Sequence, residues 1–311
     1  MPEGTMHTSN PSLFRWPALC LLVCWAGCSA HPPWRQPLRP PAVCPAGYVR
    51  IAPSTFTMGA AVGESRSEGD VTQYPLYVEP YYLDRPQHSV TITRAYCMKA
   101  TEVTQGEWQA MMGSNPSEFK TCGANCPVEQ VSWNDAVGYA NALSRREGLP
   151  ECYAGSTFAG LDCAGYRLPT EAEWECAARG GTTTATYLGN LSGEKKEDYT
   201  EDCVTAQPSL DGIAWWCRNS GSATHEVGGK TPNAWGLYDM IGNVWEWTGD
   251  MLHLYPNPEI QQDIGKPESH RVLRGGSWQD DDSDARAARR AGTDWNERRS
   301  NLGFRLARTA P

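Results

Sequence analysis

Asp239 and Glu246 stand among aromatic residues in the stretch Trp235–Asp250, WGLYDMIGNVWEWTGD. Leu237, Met240, Ile241 and Val244 hint at a helix, but Gly242-Asn243 breaks it. The stretch therefore reads as buried irregular backbone, whose amide and carbonyl groups need partners. A bound cation is one way to satisfy the carbonyls, and hard oxygen ligands of this kind suit Ca²⁺. The alternative is that both carboxylates bond backbone amides or an arginine, since the stretch is no EF-hand loop. A second acidic group, Asp280, Asp281, Asp282 and Asp284, reads either as a metal cluster or as partners for Arg286, Arg289 and Arg290. The ion-pair reading is preferred there. From Arg271 to Arg308 there are nine Arg and no Lys against six Asp or Glu, which suggests fixed planar salt bridges. Glu102, Glu107, Glu171, Glu173 and Glu175 offer carboxylates for catalysis, but capping and helix-face salt bridges account for most of them.

Cysteines are the other reactive set. Twelve in 311 residues suggest an oxidising compartment. Cys122 and Cys126, Cys152 and Cys163, and Cys203 and Cys217 each flank a short polar loop, and disulfides 122–126, 152–163 and 203–217 are expected. Cys122 and Cys126 as half of a zinc site is the rival reading, yet no second Cys/His pair stands at metal spacing. Cys97 and Cys176 sit in apolar settings and read as buried thiols; Cys44 is left over.

The elements that position these residues carry local signals. Thr104 with Glu107, Ser132 with Asp135 and Thr170 with Glu173 are capping boxes. They predict helices over Gln105–Met112, Trp133–Glu147 and Glu171–Arg179, stopped by Gly113, Gly148 and Gly180. Val49–Gly59 predicts a strand and turn, and His88–Thr93 a strand, with His88 as a structural hydrogen-bonder. Gly63–Tyr82 is polar and acidic and reads as a surface loop. Val272-Leu273 and Phe304–Leu306 are expected to pair, and Gly275-Gly276 to allow close backbone approach.

At the amino end, Arg15 precedes the apolar run Ala18–Trp25, which is too short to span a bilayer and suits a signal peptide. Ala26-Gly27-Cys28 resembles a lipobox, so lipidation at Cys28 is expected, although Trp25 replaces the usual Leu; ordinary cleavage near Ala30 is the alternative. Ser29 rather than Asp favours the outer membrane. His31–Val43 has five prolines in thirteen residues and reads as a stiff tether. The expected layout is a signal peptide over 1–28, a tether over 29–47 and a folded domain over 48–308. A net charge of −9 argues against a nucleic-acid surface.

Together, YRLPTEAEWECAARGG (Tyr166–Gly181), PNAWGLYDMIGNVWEW (Pro232–Trp247), RVLRGGSW (Arg271–Trp278) and NLGFRLA (Asn301–Ala307) resemble the formylglycine-generating enzyme, or sulfatase-modifying factor, family. TEVTQGEW (Thr101–Trp108) and PVEQVSWNDAVGYAN (Pro127–Asn141) extend the resemblance. It implies an α+β fold related to the C-type lectin fold, with short helices and strands and bound structural calcium. It places the calcium ligands on Asp239 and Glu246 by side chain and on Gly242 and Val244 by carbonyl; the family has Asn where Asp239 stands. Active members oxidise a substrate cysteine to formylglycine, using Cu(I) held by two cysteines spaced C-x4-C. Here those positions are Asp280 and Ala285, so copper is not expected. Trp245 and Ser277 match the family's oxygen-pocket residues. The resulting expectation is a membrane-tethered, calcium-stabilised, non-oxidase binding or maturation module. Trp245, Ser277, Trp278 and Asp280 would line its pocket, with Arg289 as an anion contact. The partner would be an extended peptide, a protein or a polar ligand, and the only membrane contact the lipid anchor. The alternative is an oxidase using another metal, though His88, His225, His253 and His270 show no tight spacing for iron.

Overall fold

Each predicted helix begins where its capping box places it. In the computed structural model, α1 spans Gln105–Met112, α2 Trp133–Arg146 and α3 Glu171–Arg179. At every start the cap hydroxyl accepts from the N3 amide and the N3 carboxylate accepts from the cap amide. Gly113 and Gly180 end α1 and α3 in the left-handed region. α2 stops one residue before the expected Glu147, which is its C-cap. The structure describes residues 43–61, 64, 83–191, 203, 207–255 and 270–311. The signal segment, Cys28, the tether as far as residue 42 and all of the expected 63–82 loop except Glu64 lie outside them.

The strands are short. In the first half they are β1 Tyr48–Ile51, β2 Ser54–Met58, β3 His88–Ile92, β4 Tyr96–Lys99, β5 Tyr153–Ala154, β6 Thr157–Phe158 and β7 Tyr166–Arg167. In the second they are β8 Trp245–Met251, β9 His270–Arg274, β10 Arg290–Asp294, β11 Leu302–Gly303 and β12 Ala307–Thr309. One sheet has the order β1-β4-β12-β7 and another β10-β9-β8-β11; β2 pairs with β3, and β5 with β6. The expected single strand over Val49–Gly59 is two strands in two sheets, parted at Ala52-Pro53. Proline cannot donate to a ladder, so the chain leaves one sheet there and enters the next.

Two further expectations are corrected. Val272-Leu273 does not pair with Phe304–Leu306. Val272 and Leu273 lie in β9, between β8 and β10. Phe304 and Leu306 are fully buried between β11 and β12, and their carbonyls accept from Val103 and Lys99. Cys97 is not a thiol: it is disulfide-bonded to Cys44, joining the segment just ahead of β1 to β1's neighbour β4. Disulfides 122–126, 152–163 and 203–217 are present, and Cys176 is a free buried thiol.

α2 buries Trp133, Ala136, Val137, Ala140 and Leu143, the i, i+3, i+4, i+7 face of an amphipathic helix, against Trp247, Phe304 and Leu306. α3 packs Trp174, Ala177 and Ala178 with Trp216, Leu237, Met240 and Ile241 in a second cluster. β8 lies between the two: Trp247 faces the first, and Glu246 accepts from Trp174 Nε1 of the second at 2.8 Å.

Candidate functional site

β8 runs antiparallel to β9 and parallel to β11. The start of β8, the end of β9 and the approach to β11 are therefore neighbours. Three motifs distant in sequence meet there. Gly242 N donates to Gly275 O at 2.9 Å, and Trp245 N to Asn301 O at 2.8 Å. Gly242 has φ +80°, and a Cβ on it would lie 2.3 Å from Trp215 O, so no other residue fits. Gly276, at φ +71°, would bring a Cβ to 3.0 Å from Asp284 O, which ties the aspartate loop back onto the end of β9.

The residues expected to line a pocket meet at this junction, with one qualification. Asp280 Oδ2 accepts from Trp245 Nε1 at 2.8 Å and from Ser277 Oγ. Asn301 Nδ2 donates to Ser277 Oγ at 3.1 Å. Trp278 donates its backbone N–H to Asn243 O at 2.8 Å and its indole N–H to Ser300 O at 3.1 Å; the indole meets Phe119 edge-on with centroids 5.4 Å apart. Arg289 is the qualification, because it is ion-paired with Asp284. Ala285, at the second copper position, is 1% exposed and apolar.

Burial, and then the charge of Asp284, push Asp280 up to about 6. The folded state thus holds this proton more tightly than the unfolded chain, whose Asp titrates near ~3.9. The stabilisation is full below ~4 and is lost as pH rises to about 6. Asp280→Asn keeps an acceptor for Trp245 and removes the titration. It is expected to flatten the stability profile between those two values and to raise stability at neutral pH by on the order of 2 kcal/mol. Denaturant titrations across this range check it; a variant whose profile parallels wild type would refute the assignment.

The other two carboxylates of interest lie deeper. Glu246 is gripped by Arg305, Nε to Oε2 and Nη2 to Oε1, both at 2.7 Å. Arg305 also donates to the carbonyls of Lys99, Ala100, Tyr238 and Asp239. Burial opposes its charge, but Glu246 overrides this and holds its pKa up. Asp239, at φ +52°, accepts from Gly228 N at 2.6 Å on Oδ2. Asn243, also left-handed, donates to Glu102 Oε1 at 3.0 Å and accepts from His225 N. Asp239 Oδ1 and Glu102 Oε2 are buried without a hydrogen-bond partner among the described residues. Burial raises the pKa of both carboxyls, and the Asp239 charge raises Glu102 further. No three His, Cys, Asp or Glu side chains converge on a metal position among the described residues. A cation here would have to take main-chain carbonyls as well.

The acidic and basic residues of the last segment pair differently from the sequence expectation. Asp284 forms an ion pair with Arg289. Arg286 pairs with Asp84 at 2.9 Å and Glu64 at 3.2 Å, and Arg290 with Glu171 at 2.7 Å. Asp281 caps Ser283, and Asp282 accepts from Gln207 at 2.8 Å. The carboxylates of α3 are structural, as expected: Glu173 is bidentate to Arg167, and Glu175 binds Arg179 and Arg274. His88 Nδ1 donates to Pro86 O at 3.1 Å, a structural bond.

The family model described as the sulfatase-modifying factor enzyme 1-like domain matches residues 38–310. The chain belongs to this family. Among curated relatives of the sulfatase-modifying factor domain, chaperone protein LppX of Paenibacillus barcinonensis is 34% identical over 61% of this chain and 71% of that protein. The formylglycine-generating enzyme of Mus musculus is 27% identical over 83% and 74%, and the inactive C-alpha-formylglycine-generating enzyme 2 of the same organism 32% over 59% and 57%. Treponema denticola variable protein 1 superposes with a TM-score of 0.63 at 33% identity, over 85% of this chain and 95% of that one. The architecture described above is the α+β fold of the family.

Sequence reasoning missed Asn243 and Asn301 and set Glu102 aside. Asn243 had a signal, since a left-handed residue after Gly242 favours Asn. Glu102 had none: it precedes the capping box of α1 but makes no cap.

Proposed function

We propose that this sulfatase-modifying factor domain is a binding or protein-maturation module of the cell envelope and does not carry out the copper-dependent oxidation. The observation that carries the reading is the donor set after Gly276-Ser277-Trp278. Cu(I) needs soft thiolates. Asp280 presents a hard carboxylate already engaged by Trp245 and Ser277, Ala285 has no donor atom, and no cysteine follows Cys217. These residues do not fit copper. What remains is an indole, that of Trp278, beside a hydrogen-bonded Trp245–Asp280–Ser277–Asn301 set, suited to gripping an extended peptide or polar ligand without altering it. A relative named a chaperone and another named an inactive enzyme support the same direction.

Calcium belongs to this reading as a structural ion. The family resemblance gives Asp239, Glu246 and the carbonyls of Gly242 and Val244 as its ligands. The orphaned Asp239 Oδ1 fits a hard cation there. Its contribution would be to fix the irregular backbone before β8. The Ala26-Gly27-Cys28 sequence supports a lipid anchor at Cys28, with Ser29 favouring the outer membrane.

The test incubates the protein with a Cys-Thr-Pro-Ser-Arg peptide, copper, oxygen and a thiol reductant, and reads the peptide by mass spectrometry. The expected result is an unchanged cysteine. Its conversion to the aldehyde over multiple turnovers would overturn the reading. Mass spectrometry of the mature protein, in the same run, is expected to find a lipidated Cys28 as the first residue; an unmodified start elsewhere removes the anchor.

A further inference from the structure

The disulfide Cys122–Cys126 touches both segments that hold Trp278, the half-buried indole of the candidate pocket. Cys122 ends a single helical turn, Lys120–Cys122, and its N–H donates to Phe119 O at 3.0 Å. Phe119 is the ring that meets Trp278 edge-on. On its other side, Cys122 Sγ lies 3.2 Å from Thr224 O. Thr224 leads into His225, whose Nε2 donates to Ser220 O at 2.7 Å, and Ser220 Oγ donates to Trp278 O at 2.7 Å. The two ends of the disulfide are held unequally. Cys126 is fully buried, and its carbonyl accepts from Gln105 N at 2.8 Å. Next to it, Ala124 O accepts from Gly106 N and Asn125 O from Val227 N. Cys122 is half-buried, and Lys120 and Thr121 beside it are exposed. Among the described residues, that turn is tied down by its own short-range bonds, the Thr224 contact and the disulfide.

Thiol–disulfide exchange begins with attack of a thiolate on whichever sulfur it can reach, which here is Cys122. We propose that Cys122–Cys126 is a redox latch on the candidate pocket. Oxidised, it clasps the Phe119 turn and the 220–225 turn about Trp278; reduced, it releases the first of them and frees the indole. The reductant is a dithiol. Its first thiolate bonds to Cys122 Sγ, and the sulfur–sulfur bond breaks with its electron pair going to Cys126, which takes up a proton. The second thiol of the reductant then displaces Cys122 as a thiol, and the reductant leaves as a cyclic disulfide. Both products have a place in the fold. The Cys122 thiol finds an acceptor in Thr224 O, and a thiol at Cys126 suits its buried position. Glu129 Oε1 still accepts from Phe119 N at 2.9 Å, so the opened loop stays on the domain. The proposal rests on the pocket reading above and adds its regulation.

The experiment labels the whole protein with fluorotryptophan, assigns the Trp278 signal with Trp278→Phe, and follows it by fluorine NMR through buffers of increasing dithiothreitol over its oxidised form. Alkylation and peptide mapping of the same samples report which disulfides have opened. Cys122–Cys126 is expected to open while Cys44–Cys97 stays closed and the fold persists, with a displaced Trp278 signal that returns on reoxidation. Cys203–Cys217 also borders the pocket, since Cys217 N donates to Asp280 O at 3.0 Å. Two double variants separate them. Cys122→Ser with Cys126→Ser should show the displaced signal without reductant, and Cys203→Ser with Cys217→Ser should keep the wild-type response. A Cys122–Cys126 bond that stays closed until the domain unfolds, or that opens with the Trp278 signal unmoved, overturns the latch. Should the first double variant fail to fold, the wild-type series with its mapping decides. No ligand is needed, so a failed latch leaves the pocket reading standing, whereas turnover in the copper assay would remove that reading without moving the Trp278 signal.

Discussion

Arg305→Met is expected to destabilise the domain by about 3–5 kcal/mol, the scale for removing one partner of a buried ion pair. Arg305 is fully buried, and its guanidinium holds Glu246 through two bonds of 2.7 Å. It also ties the carbonyls of Lys99 and Ala100 at the end of β4 to those of Tyr238 and Asp239 before β8. Methionine fills similar volume but leaves Glu246 charged and unpaired beside Glu102 and Asp239. Arg305→Lys should recover only part of the loss, because a point charge cannot hold a bidentate carboxylate and four carbonyls together. Glu246→Gln with Arg305→Met should be less damaging than the sum of the two single changes. Denaturant midpoints of the three variants and the double variant check this. An Arg305→Met protein within ~0.5 kcal/mol of wild type, the range of neutral surface changes, would show that the pair is not what holds these segments.

Breaking the Cys44–Cys97 bond should cost more than breaking any other disulfide of the described domain. It spans 53 positions, against 14, 11 and 4 for 203–217, 152–163 and 122–126. If the disulfide acts by restricting the unfolded chain, the longest loop gives about 4 kcal/mol and the shortest about 2. Cys44→Ser breaks the bond at its more exposed end and leaves the Cys97 side chain filling its place in the core. Melting of Cys44→Ser, Cys122→Ser, Cys152→Ser and Cys203→Ser should rank the four by loop length. A Cys44→Ser protein that melts no lower than Cys122→Ser would contradict the chain-entropy account.

The helices were legible because their signals are local. Thr104, Ser132 and Thr170 each carry the complementary carboxylate three residues on, and each fixes a helix start to the residue. Partners far along the chain were not legible. Arg286 stands beside four aspartates yet finds Asp84 and Glu64, some two hundred positions earlier. Cys97 has an apolar neighbourhood, and nothing in it points to Cys44. Phe304–Leu306 is a short apolar run, which periodicity cannot distinguish between a strand and a buried connection. Trp245–Asp250 was read as irregular, yet Trp245 begins β8, and the expected in-out alternation is missing because Trp245, Glu246, Trp247 and Thr248 are all buried. A strand covered on both faces loses its period of two. Within the candidate site, the family resemblance pointed to Trp245, Ser277, Trp278 and Asp280. The two asparagines and the unresolved demand of Glu102 depend on which oxygens remain unbonded, and that requires coordinates.

The bond between Cys44 and Cys97 also fixes how the domain would respond to tension. β4 lies between β1 and β12 in its sheet. A pull arriving through residues ahead of Cys44 would otherwise act on β1, an edge strand, and unzip its hydrogen bonds one at a time. The sulfur–sulfur link hands that load to β4 instead, which is bonded on both sides. Strands on both sides must then slide together before anything gives, so β1 is relieved of load and the force enters the sheet at an interior strand.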